Sequence, residues 1–439
     1  MKHIKSWFKV AWLVIFLWST APCVFAATYK VTDLGVLADL AGQPKPVATI
    51  SAVNMSGKAV GMTAGNAHYM AFIYGGARTN LGTLGGTNAY ALGINNSNSV
   101  CGYSTTTNGL DHAFRWMPGS TDGVPGNLQM KDLGTLGGDN SQANGINSTG
   151  QICGYSDIII SGSTDAHAFL YSGNTMTDIG TLLGSKLPNS YGYGINAAGH
   201  VAGTAYDKNW SRDSLVAFFY NGTTNGSIGM LPGGLYASAL ALNDSDQIVG
   251  YAATAAGFEH AFHYFNGTMT DLGTLGGNWS YGTSINNSNT IVGGSYTDSA
   301  DSIYHAFICI SNTMVDLNTQ LDASSNGWVL VSANGINDAG QIVGSGRTNG
   351  VRHGFLLTPL PPPQFQITSI SVNGSNVTIG FPTVTGATYH LEERTNLITG
   401  SGWSNILSGI AGNGLTLFLT HTNGKDLRAR FYRVGRTVP

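Results

Sequence analysis

The chain is poor in charge. Of its 439 residues only 10% are Asp, Glu, Lys or Arg, against about 25% in an ordinary soluble protein. Its 20 Lys and Arg form no basic run and are outnumbered by 23 Asp and Glu. Phosphate backbones are bound by clustered cations, so a nucleic-acid partner is excluded. Cysteine is scarce, with four residues, too few for a disulfide framework in a chain this long. Glutamate is rarer still beyond residue 26, where Glu259, Glu392 and Glu393 are the only ones. After the N-terminus no apolar run is long enough to cross a bilayer as a helix. What fills the chain instead is glycine, 61 residues, with many Asn, Ser and Thr. That mixture suits short strands joined by tight turns, and the 10% aromatic content excludes wholesale disorder.

Residues 1–26 have the pattern of a secretory signal peptide. Lys2, Lys5 and Lys9 precede an apolar run from Val10 to Trp18, and Val24 and Ala26 suit a cleavage site. Pro22 before Cys23 does not suit a lipoprotein anchor. Cleavage leaves 17 basic and 23 acidic side chains, a net charge of −6, on an expected secreted chain, extracellular or periplasmic. Cys101, Cys153 and Cys309 remain, an odd number. Cys101 and Cys153 occupy the Val position of related "QIVGY" segments, so they are expected to be small buried hydrophobes.

A repeat organises most of the chain. An apolar-Asn pair recurs at Val53-Asn54, Ile94-Asn95, Ile146-Asn147, Ile195-Asn196, Leu242-Asn243, Ile285-Asn286 and Ile336-Asn337. A glycine follows each, from Gly61 to Gly344, then a phenylalanine, from Phe72 to Phe355, then a "DLGTLGG"-like segment. Every copy but the last holds four short strands, here named a to d. Three residues after each Asn stands Gly, Asn or Asp, which tolerate the left-handed corner of a tight a–b hairpin. Four-strand units repeated seven times at about 47 residues predict an all-β fold, a seven-bladed β-propeller over residues 27–359. The first strand, "YKVTDLGVL" at 29–37, resembles strand d, and the last copy lacks one. The N-terminal strand is therefore expected to close the ring and hide two sheet edges.

Histidine tracks aspartate through the copies. His112, His167, His260, His305 and His353 stand in the "HAF" position. Their expected partners on strand d are Asp132, Asp178, Asp271, Asp316 and, across the closure, Asp33. Copy one has Met70 with Asn80, and copy four has Val216 with Ser227, so both residues are absent together. The expectation is a structural imidazole–carboxylate bond that staples strand d to strand c. Pairs spread around a ring do not converge on one metal or substrate.

The strings "DHAF" at 111–114, "AHAFLY" at 166–171, "DLGTLGG" at 132–138 and 271–277, and "GINDAGQIVG" at 335–344 resemble the HAF-repeat family of bacterial extracellular proteins. The resemblance covers about 330 residues and implies secretion and repetition. It carries over no catalytic residue. After a Pro-rich linker at 360–363, residues 364–434 alternate as strands of a small β-sandwich-like domain. Tyr389, Leu391, Thr395-Asn396-Leu397, Trp403 and the terminal "RFYRV" resemble a module that ends large secreted bacterial proteins.

Function is expected on the face where the b–c and d–a loops meet, because long variable loops on a rigid frame carry binding. Tyr90, Tyr191, Tyr236, Trp279 and Tyr281, with Trp210, supply aromatic surface for sugar rings, and packing between blades is the competing role for them. The expected function is a secreted binding or scaffold propeller, monomeric, whose partner is an extracellular polysaccharide or a surface protein. The alternative is a polysaccharide hydrolase or lyase using loop carboxylates such as Asp157, Asp165, Asp207, Asp213, Asp298 and Asp301. No nucleophile elbow, zinc-binding or phosphate-binding motif appears, and no cofactor or metal is expected. "DSADS" at 298–302 lacks the spacing of a calcium loop.

Overall fold

The computed structural model describes residues 28–38, 48–65, 67–180, 186–209, 211–360, 367–383, 388–394, 404–422 and 431–437. The expected signal peptide and residues 361–363 of the expected linker lie outside them. The described residues fall into two compact units divided at Leu360/Pro361. Both are all-β. Short 3-10 turns stand at Arg212–Ser214, Leu317–Gln320 and Ala323–Ser325.

The larger unit contains seven four-stranded antiparallel sheets. Six take their strands from consecutive sequence in the order a–b–c–d. In the first these are Thr49–Val53, Ala59–Ala64, Tyr69–Tyr74 and Arg78–Asn80. The seventh has Trp328–Ile336, Ile342–Thr348 and Val351–Pro359 as strands a, b and c. Its fourth strand is Tyr29–Val36, which pairs with strand c in the register Tyr29 to Pro359 and Asp33 to Phe355.

Local chemistry explains the strand order. At the a–b corner φ is positive in all seven sheets, from +57° at Asp246 to +85° at Gly150. Short polar residues and glycine accept that conformation, and β-branched residues do not. The glycine of strand b meets strand a too closely for any side chain. A Cβ on Gly102 would lie 1.8 Å from the carbonyl oxygen of Tyr90. The repeat phenylalanines Phe114, Phe169, Phe218, Phe262, Phe307 and Phe355 are at most 1% exposed. Each is worth about 3–5 kcal/mol relative to Ala at such a site.

Successive sheets share cores. Val60 and Ala71 of the first pack with Ala91, Val100 and Phe114 of the second. Similar clusters join the second to the third, and so on to the seventh. A further cluster joins Val343 and Leu356 of the seventh to Ile50, Ala59 and Phe72 of the first. Each sheet therefore shares a core with the next, and the seventh with the first. Strand a of one sheet also touches strand a of the next. Asn144 Nδ2 donates to Gly192 O at 2.8 Å, and Thr283 Oγ1 to Ala333 O at 2.7 Å. That contact accounts for the small residues along this strand.

The smaller unit has two three-stranded sheets. Ser369–Asn373, Asn376–Pro382 and Thr416–His421 form one, and Ser404–Ala411, Thr388–Arg394 and Phe431–Thr437 the other. Val377, Ile379, Phe381, Tyr389, Leu391, Leu419, Tyr432 and Val434 make its core.

Candidate functional site

The repeat polar residues are consumed by the frame. Each apolar-Asn pair places its Asn at the start of the a–b corner. Its Oδ1 accepts the main-chain N–H four residues on and, in six of the copies, the one two residues on as well, as Asn95 does from Ser99 and Ser97. Its Nδ2 donates to the carbonyl of the equivalent Asn in the next sheet. The chain of donors runs from Asn54 to Asn95, Asn147, Asn196, Asn243, Asn286 and Asn337, and from Asn337 back to Asn54. All seven bonds are 2.8–3.2 Å long, and all seven residues are buried. This ring is absent from the expectations drawn from sequence. Its signal was there: the corner alone would accept Asp or Ser, yet Asn stands in every copy, because its amide accepts the turn N–H groups through Oδ1 and donates to the next sheet from a separate atom, Nδ2.

The histidines and aspartates meet on strands c and d. The Nδ1 atoms of His112, His167, His260, His305 and His353 lie 2.7–2.9 Å from carboxylate oxygens of Asp132, Asp178, Asp271, Asp316 and Asp33. Each Asp stands opposite the Phe of "HAF" rather than opposite the His, so the imidazole reaches diagonally. The Asp also accepts an N–H two residues on, as Asp271 does from Gly273. Asn80 and Ser227, in the two copies without the pair, keep that turn bond, and Asn80 Nδ2 also donates to Met70 Sδ at 3.7 Å. Burial pushes the carboxyls of Asp178 and Asp271 up. Bonds from the partner His and the glycine N–H outweigh it and leave both below the ordinary value.

The aromatic residues expected on the b–c/d–a face lie mostly against one another. Tyr90 stacks on Tyr103, with ring centres 4.3 Å apart, and Tyr191 on Tyr155, at 3.9 Å. Tyr281 meets Tyr251 edge-on at 5.2 Å. Tyr236 is buried, and its hydroxyl donates to Glu259, which also accepts from the Tyr281 hydroxyl. Glu259 is fully buried. Trp279 is half-buried and meets the exposed Phe258 edge-on at 5.7 Å. Trp210 lies outside the described residues.

The loop carboxylates hold their own loops. Asp157 accepts the main-chain and side-chain N–H of Asn140, and Asp301 does the same for Asn278. Asp207 accepts from Asn209 and Ser211, and Asp298 from Ser302 and Ile303. Residues 155–166 are no irregular loop. They prolong strands b and c of the third sheet to Ile152–Ile160 and Ser163–Ser172, joined at Ser161-Gly162. Asp111, at the start of a strand c, differs from these acids. Its Oδ1 is buried without a hydrogen-bond partner, and burial raises its pKa. It lies on the sheet face that carries Tyr90 and Tyr103, by the register of strands a to c. The thiols of Cys153 and Cys309 are pushed up to about 12 by burial, which makes them poor nucleophiles.

Exposed apolar side chains divide unevenly between the two ends of the sheets. Val36, Ile159, Ile160, Met230, Leu235, Phe258, Ile303, Val329 and Val351 are at the b–c/d–a end. Met55, Leu128 and Phe265 are at the other. That other end has two polar hollows. One, of about 240 Å³, is rimmed by the Asn ring, and one of about 310 Å³ lies between the second and third sheets.

No family model matches this chain, and no curated protein matches it. Among solved structures it is similar to a puromycin-hydrolysing peptidase from Mycobacterium tuberculosis, at 11% identity and a TM-score of 0.45. That match covers 80% of this chain, which spans 61% of the peptidase. A gluconolactonase from Xanthomonas campestris matches at 9% identity and a TM-score of 0.32, over 60% of this chain and 83% of its own. A Trypanosoma rangeli sialidase, solved with sialic acid, matches at 10% identity and a TM-score of 0.33, over 94% and 85%. None of these likenesses decides what this chain does.

Proposed function

We propose that the chain is a secreted protein of the HAF-repeat kind. In this reading its seven sheets are the blades of a seven-bladed β-propeller and its last 70 or so residues a small β-sandwich-like domain. The b–c/d–a face binds an extracellular polysaccharide or a surface protein, and the His–Asp pairs and the Asn ring serve the frame alone. The observation that carries the binding reading is the division of exposed apolar side chains, nine on one face and three on the other. Such an excess of exposed apolar side chains on one face favours an interaction surface there. Phe258 and Trp279 give that face its sugar-sized aromatic element. The test is a screen of the purified chain against neutral and acidic polysaccharides, reading binding and released product together. Retention without product supports a binder. Absence of retention on every polysaccharide and on cell-surface extracts sinks the reading.

A second reading, a polysaccharide hydrolase or lyase, rests on Asp111. A carboxyl with a raised pKa and an unpartnered oxygen among tyrosines suits a general acid. Product release in the same screen, abolished by Asp111→Asn, would carry it.

A further inference from the structure

The 310 Å³ hollow opens at the end of the sheets opposite the proposed binding face. Departures from the repeat create it. Four residues after each ring Asn stand Lys58, Ser99, Gln151, His200, Gln247, Thr290 and Gln341. Three of the long members reach across to the next sheet. Gln151 covers Gly199, Gln341 covers Gly57, and His200 Nδ1 bonds Asp246 Oδ1 at 2.8 Å. Thr290 is short, but Pro359 stands beside the next corner, Gly340. Ser99 is short too, and nothing lies within 4 Å of the position a Cβ would take on Gly150, its next corner. The space between the second and third sheets therefore stays open there.

A second departure puts a cation in the wall. The residue after "HAF" is apolar in five copies, His263 in the fifth and Arg115 in the second. The fifth copy acts as an internal control. His263 Nε2 bonds Gln247 Oε1 at 2.8 Å, so the polar residue of strand c meets an acceptor from the a–b corner of its own sheet. In the second copy that corner residue is Ser99. Arg115 donates from one amino group to Asp122 at 3.1 Å, while its Nε is buried with no hydrogen-bond partner. Lys131 shares Asp122, at 3.0 Å, so the three groups carry a net charge of +1. No Asp or Glu lines the hollow, whose other walls include Ser97, Thr149, Gln151 and Asn174. A cation with one buried donor unpaired, in a cleft of hydroxyls and amides, suits a ligand that brings oxygen acceptors and negative charge.

We propose that this hollow is a binding site for a small oxyanion group, with Arg115 as the charged partner and the hydroxyls around it as further donors. A uronic-acid carboxylate, a sulfate ester and a phosphate share that chemistry.

The test is calorimetric titration of the purified chain, at low ionic strength, with trigalacturonate, sodium sulfate and sodium phosphate in separate arms. Saturable binding of at least one is expected, and the tightest arm identifies the source. Arg115→Met removes the charge, and Ser99→Gln restores the filled corner of the third and fifth copies. Each is expected to weaken binding roughly tenfold or more, with the melting temperature of each variant checking that it folds. No saturable heat in any arm overturns the proposal, as does unchanged affinity in Arg115→Met. Unchanged affinity in Ser99→Gln overturns the placement in this hollow. The b–c/d–a face is untouched by either variant, so its reading stands or falls separately.

Discussion

The side-chain amide of Asn337 donates to the main-chain carbonyl of Asn54, 283 residues earlier, at 2.8 Å. That bond closes a circle which six others prepare. Asn337→Ala leaves a buried carbonyl without its donor and the Gln341 N–H without its acceptor. A loss of about 2–4 kcal/mol is expected, because buried groups left unsatisfied cost more than a hydrogen bond gains. Urea unfolding of the two proteins measures it.

Removing residues 1–37 deletes the fourth strand of the seventh sheet and bares the edge of Val351–Pro359. An unpaired edge recruits another chain. Light scattering should report dimers or larger species where the intact chain gives one size. A truncated chain that stays at its original size and melting temperature would contradict the role assigned to this strand.

The His–Asp pairs predict acid sensitivity. Asp178 and Asp271 hold lower pKa values folded than unfolded. The unfolded chain then binds more protons, and stability rises with pH across the interval. Their contribution is complete above the unfolded value, about 3.9, and is lost as pH falls through the folded one. Both carboxylates are partly exposed, so the effect is damped by solvent. The melting temperature of the wild type should fall between about pH 5 and pH 2.5, and more steeply than that of the Asp178→Asn, Asp271→Asn variant.

Glycine tolerance should follow geometry. Gly102→Ala drives a methyl into the Tyr90 carbonyl, and a loss of roughly 4 kcal/mol or more is expected. Gly226→Ala meets nothing within 4 Å and has no positive φ. It should change stability by less than about 0.5 kcal/mol. Denaturation midpoints of the pair check the contrast.

If the b–c/d–a face binds glycan, Trp279→Ala should weaken that binding about tenfold or more, because a stacking aromatic dominates such contacts. Phe258→Ala should act in the same direction. Unaltered retention in both variants would move the site away from this pair.

The sequence carried the frame in its regular parts. Regular spacing exposed the strands, and the joint presence of His and Asp at 353 and 33 pointed to the pairing that joins the two ends. The Asn ring was harder to see. A corner that accepts Gly, Asn or Asp explains itself, and nothing in one copy reveals that Asn54 serves its neighbour as well as its own turn. The tyrosines stood in the expected stretches, but spacing along a strand does not tell whether Tyr191 faces a solvent cleft or lies flat on Tyr155. The hollow at Ser99 was hidden for a different reason. It is defined by a side chain that is too short, and a sequence comparison between copies draws the eye to what recurs.

The strand Tyr29–Val36 has a consequence for timing. It is made first and pairs last, since Pro359, opposite Tyr29, is 330 residues away. At roughly 5–20 residues per second, translation separates the two by about 15–65 s. Until Pro359 is made the chain has a strand without a partner, and once Asp316 is made it has six sheets without a clasp. The intermediate is a row that any equivalent strand could complete, from this chain or a neighbour. Crowded synthesis should therefore favour exchange of N-terminal strands between molecules, and dilution should favour self-closure.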